Sequence, residues 1–127
     1  MNSVTQNKDC AVRFLEMVTI GAIDDAYNLY VNMKGIHHNM FFAAGFPMLL
    51  AAMKENHVAF PHKRLEIVHM IGEGDMVVVH SRLMPEPHKN EYAITVHIFR
   101  FAGGRIVELW DCSQKIPAHI PNTDGPF

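Results

Sequence analysis

The segment Glu91–Gln114, EYAITVHIFRFAGGRIVELWDCSQ, decides the fold of this chain. Its two arms, Tyr92–Phe101 and Arg105–Gln114, have the alternating pattern of a strand with two different faces and are rich in β-branched and aromatic residues. That pattern predicts a β-hairpin. Between the arms, Ala102-Gly103-Gly104 predicts a three-residue loop in which a type I turn is followed by a bulge.

The loop determines which side chains share a face of the hairpin. A three-residue loop sets Phe101 opposite Arg105. In that register His97 becomes a near neighbour of Asp111 across the two strands. We therefore expect an imidazole and a carboxylate in an apolar pocket wall, an arrangement typical of an acid/base site. The other residues expected on this face are small or apolar: Ala93, Thr95, Phe99, Phe101, Val107 and Leu109.

Two alternatives stay open for this pair. A histidine opposite an aspartate can also be a structural polar contact without a chemical role. A two-residue loop over Gly103-Gly104 would shift the register by one residue and place Trp110, instead of Asp111, beside His97. The assignment of the site therefore depends on the turn.

The hairpin resembles that of the SnoaL-like polyketide cyclases, small proteins of the nuclear transport factor 2 (NTF2) superfamily. In VHIFRFAGGRIVELWD the shared features are a histidine, a hydrophobic-x-Arg, a Gly-Lys/Arg-Ile and a closing aspartate. The resemblance implies that His97 and Asp111, fourteen residues apart, lie in the ligand pocket. It also implies that Asp111 is the acid/base of an intramolecular aldol ring closure.

The chain resembles even more strongly an uncharacterised bacterial branch of predicted aldol-condensing proteins. The motifs that carry this similarity are His38-Asn39, GDMVVVH at Gly74–His80 and FRFAGGRIVELWDCSQKIP at Phe99–Pro117. That branch often has an aspartate where this chain has His97, so the histidine departs from the branch towards the true cyclases. The resemblance covers nearly the whole chain.

The rest of the chain predicts three helices followed by strands. Helices are expected over Asn7–Ile20, from Asp24 towards Gly35, and from Phe46 to before Pro61. A second hairpin is expected from Lys63–Ile71 and Met76–Met84. This order indicates one α+β domain over residues 1–127, with three N-terminal helices on a curved, mostly antiparallel sheet. The resemblance adds the cone shape of the NTF2-like fold and its central pocket.

Candidate ligand-binding residues come from three segments. By resemblance, the segment containing His38 and Asn39 enters the pocket, and Phe41 would contribute apolar wall. His80 and Arg82 point to one side of their strand, where they either line the cavity or face solvent. The full set of expected ligand-binding residues is His38, Asn39, Phe41, His80, Arg82 and Phe99.

Composition excludes several classes of protein. The chain has 127 residues, 49% of them hydrophobic and 19% charged, which is typical of a globular domain. Its formal charge is -2 and its basic residues are scattered, so we expect no nucleic-acid partner. No apolar run is long enough to span a membrane and no leader is visible, so a cytoplasmic location is expected. The nine histidines show no metal-ligand spacing, and no metal is expected.

The favoured function is an enzyme that moves a proton next to a carbonyl group, as in aldol cyclisation or isomerisation, without a cofactor. Asp111 would be the base, His97 its partner, and His38 or His80 donors to the oxyanion. The alternative is a non-catalytic protein that binds a small hydrophobic ligand in the same cavity. A homodimer is expected through the outer face of the sheet, which would carry an apolar stripe of Ile94, Val96, Ile98, Ile106 and Trp110. The prolines and isoleucines of the tail after Gln114 predict that it wraps over a neighbouring surface. In the alternative, this tail folds back over the outer face and leaves a monomer.

Overall fold

The structure is a computed structural model that describes residues 3–127. Three helices come first in the chain, apart from one strand between the second and third. The helices are α1 (Val4–Ile20), α2 (Ile23–Tyr30) and α3 (Phe46–Ala59). The strands are β1 (Val31–His37), β2 (Arg64–Glu73), β3 (Met76–Met84), β4 (Ala93–Ala102) and β5 (Arg105–Lys115).

The five strands form one sheet in the order β1-β5-β4-β3-β2. All neighbouring strands are antiparallel except β1, which runs parallel to β5. The helices pack on one face of this curved sheet, and the predicted α+β class is confirmed. We call the helix-covered side the inner face and the opposite side the outer face.

Local sequence sets the ends of α1. The Ser3 hydroxyl accepts a hydrogen bond from the Gln6 backbone N–H, and the Gln6 side chain accepts one from the Ser3 N–H, which forms a capping box. Gly21 ends the helix in the left-handed conformation, with φ of 93°. Between these ends, α1 buries Ala11, Phe14 and Leu15 against the sheet and α2.

The second helix is shorter than predicted. It ends at Tyr30, and Val31–His37 forms β1 instead of a helical extension towards Gly35. The alternation of this segment explains the difference, because Val31 and His37 are buried while Asn32, Lys34 and Ile36 are exposed. Pairing with β5 then provides hydrogen bonds that the helix would otherwise supply.

The turn of the β4–β5 hairpin also differs from the expected one. Ala102 is paired with Arg105, so the loop consists of two residues, Gly103-Gly104, both with positive φ. This loop is typical of a tight hairpin turn that favours glycine. By itself it would shift the register away from the expected pairing.

A bulge restores the register two residues later. Phe101 is paired with Ile106 and Arg100 with Glu108, so Val107 is an extra residue on β5. Beyond the bulge, His97 is opposite Asp111, as predicted. The bulge also corrects two expectations: Ile106, with an exposed fraction of 0%, lies in the core and not on the outer face, and it takes the position expected for Val107.

Aromatic rings join the helices to the inner face. Phe14 packs edge-on against both Tyr27 and Phe99, at centroid distances of 5.2 and 6.0 Å. Tyr27 packs in the same way on Phe46, at 6.3 Å. Such pairs stabilise the fold beyond the area that they bury. They also place α2 and the start of α3 next to the part of the sheet that carries His97 and Asp111.

The chain after β5 folds back onto the outer face. Ile116, Pro117 and Ile120 line a groove together with Ile94 of β4. Further on, the ring of Phe127 lies 4.6 Å from the Arg82 guanidinium carbon. The tail therefore covers one end of the outer face, as its prolines and isoleucines predict.

Gly35 is the position where a single methyl group should disturb this architecture. A Cβ atom there would overlap the carbonyl oxygen of the bulged residue Val107 and approach Phe46 Cε2 to 2.9 Å. We expect Gly35→Ala to lower the free energy of unfolding by about 1–3 kcal/mol. Lys34→Ala, on the exposed side of the same strand, should change it by less than about 0.5 kcal/mol. Urea denaturation measures both, and equal effects would contradict the close approach of β1 to the bulge.

Candidate functional site

The candidate site lies on the inner face, where His97 of β4 is paired with Asp111 of β5. Thr95 and Phe99, the neighbours of His97 on this face, are buried. The Phe99 ring lies 6.0 Å from the imidazole at an interplanar angle of 16°. Phe99 is fully buried and therefore supports the imidazole from within the core.

Asn39 holds the carboxylate of Asp111. Its side-chain Nδ2 donates to Oδ1 and Oδ2 of Asp111 at 3.1 and 3.0 Å. Its Oδ1 accepts a hydrogen bond from the Phe41 backbone N–H at 2.9 Å. Because the oxygen is occupied by a donor, the amide group can present only its nitrogen to Asp111. The carboxylate is thereby fixed in position next to His97.

His37 fixes the loop that carries Asn39. Its Nε2 donates to the Ala43 carbonyl oxygen at 2.8 Å, and its Nδ1 accepts from the Asn39 backbone N–H at 3.2 Å. Both contacts require the neutral tautomer with the proton on Nε2. His37 is 8% exposed, and its ring also packs on Phe46. The last residue of β1 thus anchors both ends of the loop.

Burial controls the electrostatics of the site. It lowers the pKa of His97 to about 4, and the negative charge of Asp111 offsets only part of this effect. The imidazole is therefore neutral at physiological pH. Among the described residues it forms no hydrogen bond, and its Nδ1 is shielded from solvent. The two side chains are neighbours without being bonded to each other, so a ligand atom can interact with both.

Tyr27 belongs to the same region, although no sequence motif selects it. It is 1% exposed. Burial, together with the negative charge of Asp111, raises the pKa of its phenol well above the usual range. Tyr27 is therefore a permanent hydrogen-bond donor near the carboxylate. From the sequence, Tyr27 shares one side of a predicted helix with Ala26, a pattern that predicts a core residue and no chemical role.

His38 does not join the site, contrary to expectation. It lies on the outer face, where its ring stacks on Trp110 at 5.0 Å and its Nε2 lies 2.6 Å from Glu108 Oε2. This hydrogen bond lowers the pKa of Glu108, and Arg100 contributes to the same effect. The strand alternation of β1 explains the difference, because it turns His37 inward and His38 outward. Had Val31 and Met33 been recognised as the inward residues of a strand, His37 would have been selected.

His80 and Arg82 also face outward. They are paired with Val96 and Ile94, the residues of β4 that alternate with the inner-face positions. His80 Nδ1 lies 3.0 Å from His69 Nδ1, and Arg82 is paired with Glu66 at 3.4 Å. These contacts place both residues on the side opposite Asp111.

Phe41 does not line the inner face, contrary to expectation. It is 84% exposed at the tip of the loop between β1 and α3. Only its backbone N–H contributes to the site, through the hydrogen bond to Asn39. Of the residues expected to bind ligand, Asn39 and Phe99 therefore lie beside the pair of His97 and Asp111.

Residues 3–127 contain neither a metal-ligand cluster nor a membrane-spanning helix. In this range, no group of three or more histidine, cysteine, aspartate or glutamate side chains is arranged to hold a metal ion. None of the helices described here is long and apolar enough to cross a membrane.

Comparison with known proteins agrees with this architecture. The model of the SnoaL-like polyketide cyclase family matches residues 8–119. A candidate SnoaL-like polyketide cyclase from Jannaschia sp. CCS1 is 19% identical, with a TM-score of 0.71 and 89% of each chain covered. AclR, a candidate hydroxylase from Streptomyces galilaeus, is 16% identical, with a TM-score of 0.75 and coverage of 88% of this chain and 91% of AclR.

A third similar structure is that of a candidate ketosteroid isomerase from Kribbella flavida DSM 17836. It is 14% identical, with a TM-score of 0.72 and coverage of 94% of this chain and 84% of the isomerase. At these identities the structural similarity shows the fold alone. No curated protein sequence matches the chain.

The neutral state of His97 predicts that acid destabilises the protein. The folded protein keeps the ring neutral down to about pH 4, whereas the unfolded chain binds a proton near the ordinary histidine pKa of 6.5. Between these values the unfolded state binds more protons, so the free energy of unfolding falls as the pH falls, and the full stabilisation is present only above the unfolded pKa. From about pH 7 to about pH 4.5, the expected loss from this group is roughly 2 to 3 kcal/mol.

Urea denaturation at the two pH values measures this loss. His97→Gln retains a polar side chain but has no ring to protonate, so its loss of stability should be smaller than that of the wild type by roughly 2 to 3 kcal/mol. Equal losses in the two proteins would show that His97 titrates in the folded protein as it does in the unfolded chain.

Proposed function

This chain belongs to the SnoaL-like polyketide cyclase family, and we propose that it catalyses proton transfer next to a carbonyl group of a small, largely apolar substrate. The reaction class is aldol condensation, cyclisation or isomerisation without a cofactor. The observation that carries the proposal is the Asp111 carboxylate, which Asn39 holds on the inner face beside a neutral, half-buried imidazole.

Asp111 would act first as a base and then as an acid. Its carboxylate accepts a proton from the carbon next to the carbonyl group, and the electron pair of the broken C–H bond moves to the carbonyl oxygen as the enolate forms. The enolate carbon then attacks a second carbonyl group or is reprotonated at another position. Asp111 returns the proton in either case, so no external acid is consumed.

His97 would stabilise the enolate oxygen. A neutral imidazole carries one N–H donor, and a buried donor interacts more strongly with a developing negative charge than a donor in water does. His97 Nδ1 has no hydrogen-bond partner among the described residues. In the tautomer with the proton on Nδ1, this atom can therefore donate to a ligand oxygen. Burial keeps the phenol of Tyr27 protonated, so Tyr27 can act as a second hydrogen-bond donor in this region.

A binding protein without catalysis is the second candidate. It is favoured by the two hydrogen bonds from Asn39, which engage both carboxylate oxygens of Asp111. In that case the inner face would bind a small hydrophobic ligand, and Asp111 would serve as an acceptor only. Proton exchange separates this candidate from the enzyme.

The proposed base can be tested with a simple ketone. The protein should accelerate exchange of the α-protons of 2-tetralone for deuterium, followed by NMR, in a saturable manner. Asp111→Asn keeps the shape of the side chain but cannot accept the proton, so it should lose at least about a hundredfold in rate. Loss within a few fold, or exchange no faster than in buffer for the wild type, would favour the binding protein.

Glu108→Gln is the matched control for this experiment. Glu108 is also a carboxylate of β5, but it points to the outer face, where it contacts His38 and Arg100. The substitution should leave the exchange rate within about twofold, because the outer face takes no part in the proposed reaction. A loss as large as that of Asp111→Asn would mean that the assay reports folding and not the base.

We also propose that two copies associate through the outer face. Ile36 of β1 is 51% exposed on this face, which Trp110 of β5 and Ile98 and Val96 of β4 share. The tail covers the Ile94 end of this face, and at the other end His38 stacks on Trp110. An apolar surface of this kind favours a symmetric dimer.

Light scattering should therefore give a mass near twice 14.4 kDa at micromolar concentration. Trp110→Glu should weaken the dimer, since it puts a charge into the contact. Val58→Glu, at an 81% exposed position on α3, should not. A wild-type mass of one chain would contradict the dimer.

A further inference from the structure

A row of hydroxyl groups lies beside the pair of His97 and Asp111 on the inner face. Ser81, Thr95 and Ser113 are paired across β3, β4 and β5. Thr95 Oγ1 lies 3.0 Å from Ser113 Oγ, within hydrogen-bond distance. Thr95 and His97 are alternate residues of one strand, so this row adjoins the row of His97 and Asp111.

Ser81 is the member of this row without a partner. Its exposed fraction is 0%, and its Oγ forms no hydrogen bond to any described residue. A buried hydroxyl group without a partner is destabilising. Val77 and Val79, the other fully buried residues on this side of β3, are apolar. An apolar side chain at position 81 would avoid the penalty, so the hydroxyl group needs another explanation.

The unpaired atoms of Ser81 and His97 lie near each other. His97 is paired with Val79, and Ser81 follows two residues later on the same side of β3. The two residues are therefore diagonal neighbours on adjacent strands, which places them roughly 7–8 Å apart. Ser81 Oγ and His97 Nδ1 are both shielded from solvent. This part of the inner face thus holds two polar atoms that are shielded from solvent and have no hydrogen-bond partner among the described residues.

The core around the inner face contains flexible side chains. The first helix packs across β2 and β3. Partly buried methionines pack against the surrounding core, and they are Met17, Met33, Met53 and Met70. Methionine side chains are unbranched and adapt to differently shaped neighbours. Such side chains can move aside for a ligand more easily than rigid aromatic rings can.

We propose that Ser81 is a ligand-binding residue whose hydroxyl group bonds to a second oxygen atom of the substrate. The inference rests on the proposed function, because it takes Asp111 and His97 as the binding point of the first oxygen. The substrate class is then a largely apolar compound with two oxygens, of which one belongs to the reacting carbonyl group. The other is a hydroxyl or carbonyl oxygen on the β3 side. The free protein keeps this subsite closed, and the ligand opens it.

Ser81→Ala should have opposite effects on stability and on binding. Removing an unpaired hydroxyl group should leave the midpoint of urea denaturation unchanged or raise it. The same substitution should weaken the binding of a two-oxygen ligand about tenfold, the usual size of one hydrogen bond. A purely structural hydroxyl group, paired through a buried water molecule, would instead lower the midpoint when it is removed.

Fluorescence titration with two naphthalene probes tests the binding half of the proposal. The first probe is 2,7-dihydroxynaphthalene, and the second is 2-naphthol, which lacks the second oxygen. The wild type should bind the diol more tightly. Ser81→Ala should lose about tenfold for the diol and stay within about twofold for 2-naphthol. Val79→Ala, a neighbour on the same face, is the control and should lower the midpoint and affect both probes alike.

Three results would overturn the role of Ser81. They are equal affinity of wild type and Ser81→Ala for the diol, a lowered midpoint in Ser81→Ala, and no binding of the diol to the wild type. The proposed function fails by a different result, namely unchanged α-proton exchange in Asp111→Asn. Loss of exchange in Asp111→Asn with unchanged diol binding in Ser81→Ala would remove the subsite and keep the proposed function.

Discussion

The bulge at Val107 is the constraint on which the rest of the structure depends. The two-glycine turn sets one register for the β4–β5 hairpin, and the extra residue changes it before the strands reach His97. Without the bulge, Trp110 would face the imidazole and Asp111 would lie on the outer face. Gly35 allows β1 to approach the bulged backbone, since any Cβ atom there would overlap the Val107 carbonyl oxygen. Register and strand order thus depend on each other.

The pairing of β1 with β5 also positions the residues of the site. Parallel pairing with β5 brings His37 to the inner face, and His37 orders the loop that presents Asn39 to Asp111. The carboxylate is held by an amide and not by a cation, so its negative charge is not neutralised by an ion pair in the site. Next to it, burial keeps His97 neutral. A fixed carboxylate beside a neutral donor in an apolar wall suits proton transfer at carbon, where charge moves to an oxygen.

The sequence predicts the fold class, the two hairpins and the pairing of His97 with Asp111, because alternation and turn residues are local signals. A three-residue loop predicts this pairing, whereas in the structure it arises from a two-residue loop followed by a bulge. No local pattern distinguishes these two routes. The outward positions of His80 and Arg82 depend on which face the helices cover, a tertiary property that alternation leaves undetermined. His38 lies outward because Val31–His37 is a strand, where the sequence pattern predicts a helix. Asn39 follows from the family motif, whereas Tyr27 is a helical residue whose proximity to Asp111 is visible only in three dimensions.

The site depends on a neutral His97 imidazole that is half-buried next to Asp111. Titration of its ring by NMR, with the resonance assigned from the loss of one signal in His97→Gln, tests this claim most directly. We predict that the ring stays neutral as the pH falls through the ordinary histidine pKa and accepts a proton only near pH 4. A midpoint near 6.5 would mean that the ring is solvated, and it would contradict the site described here.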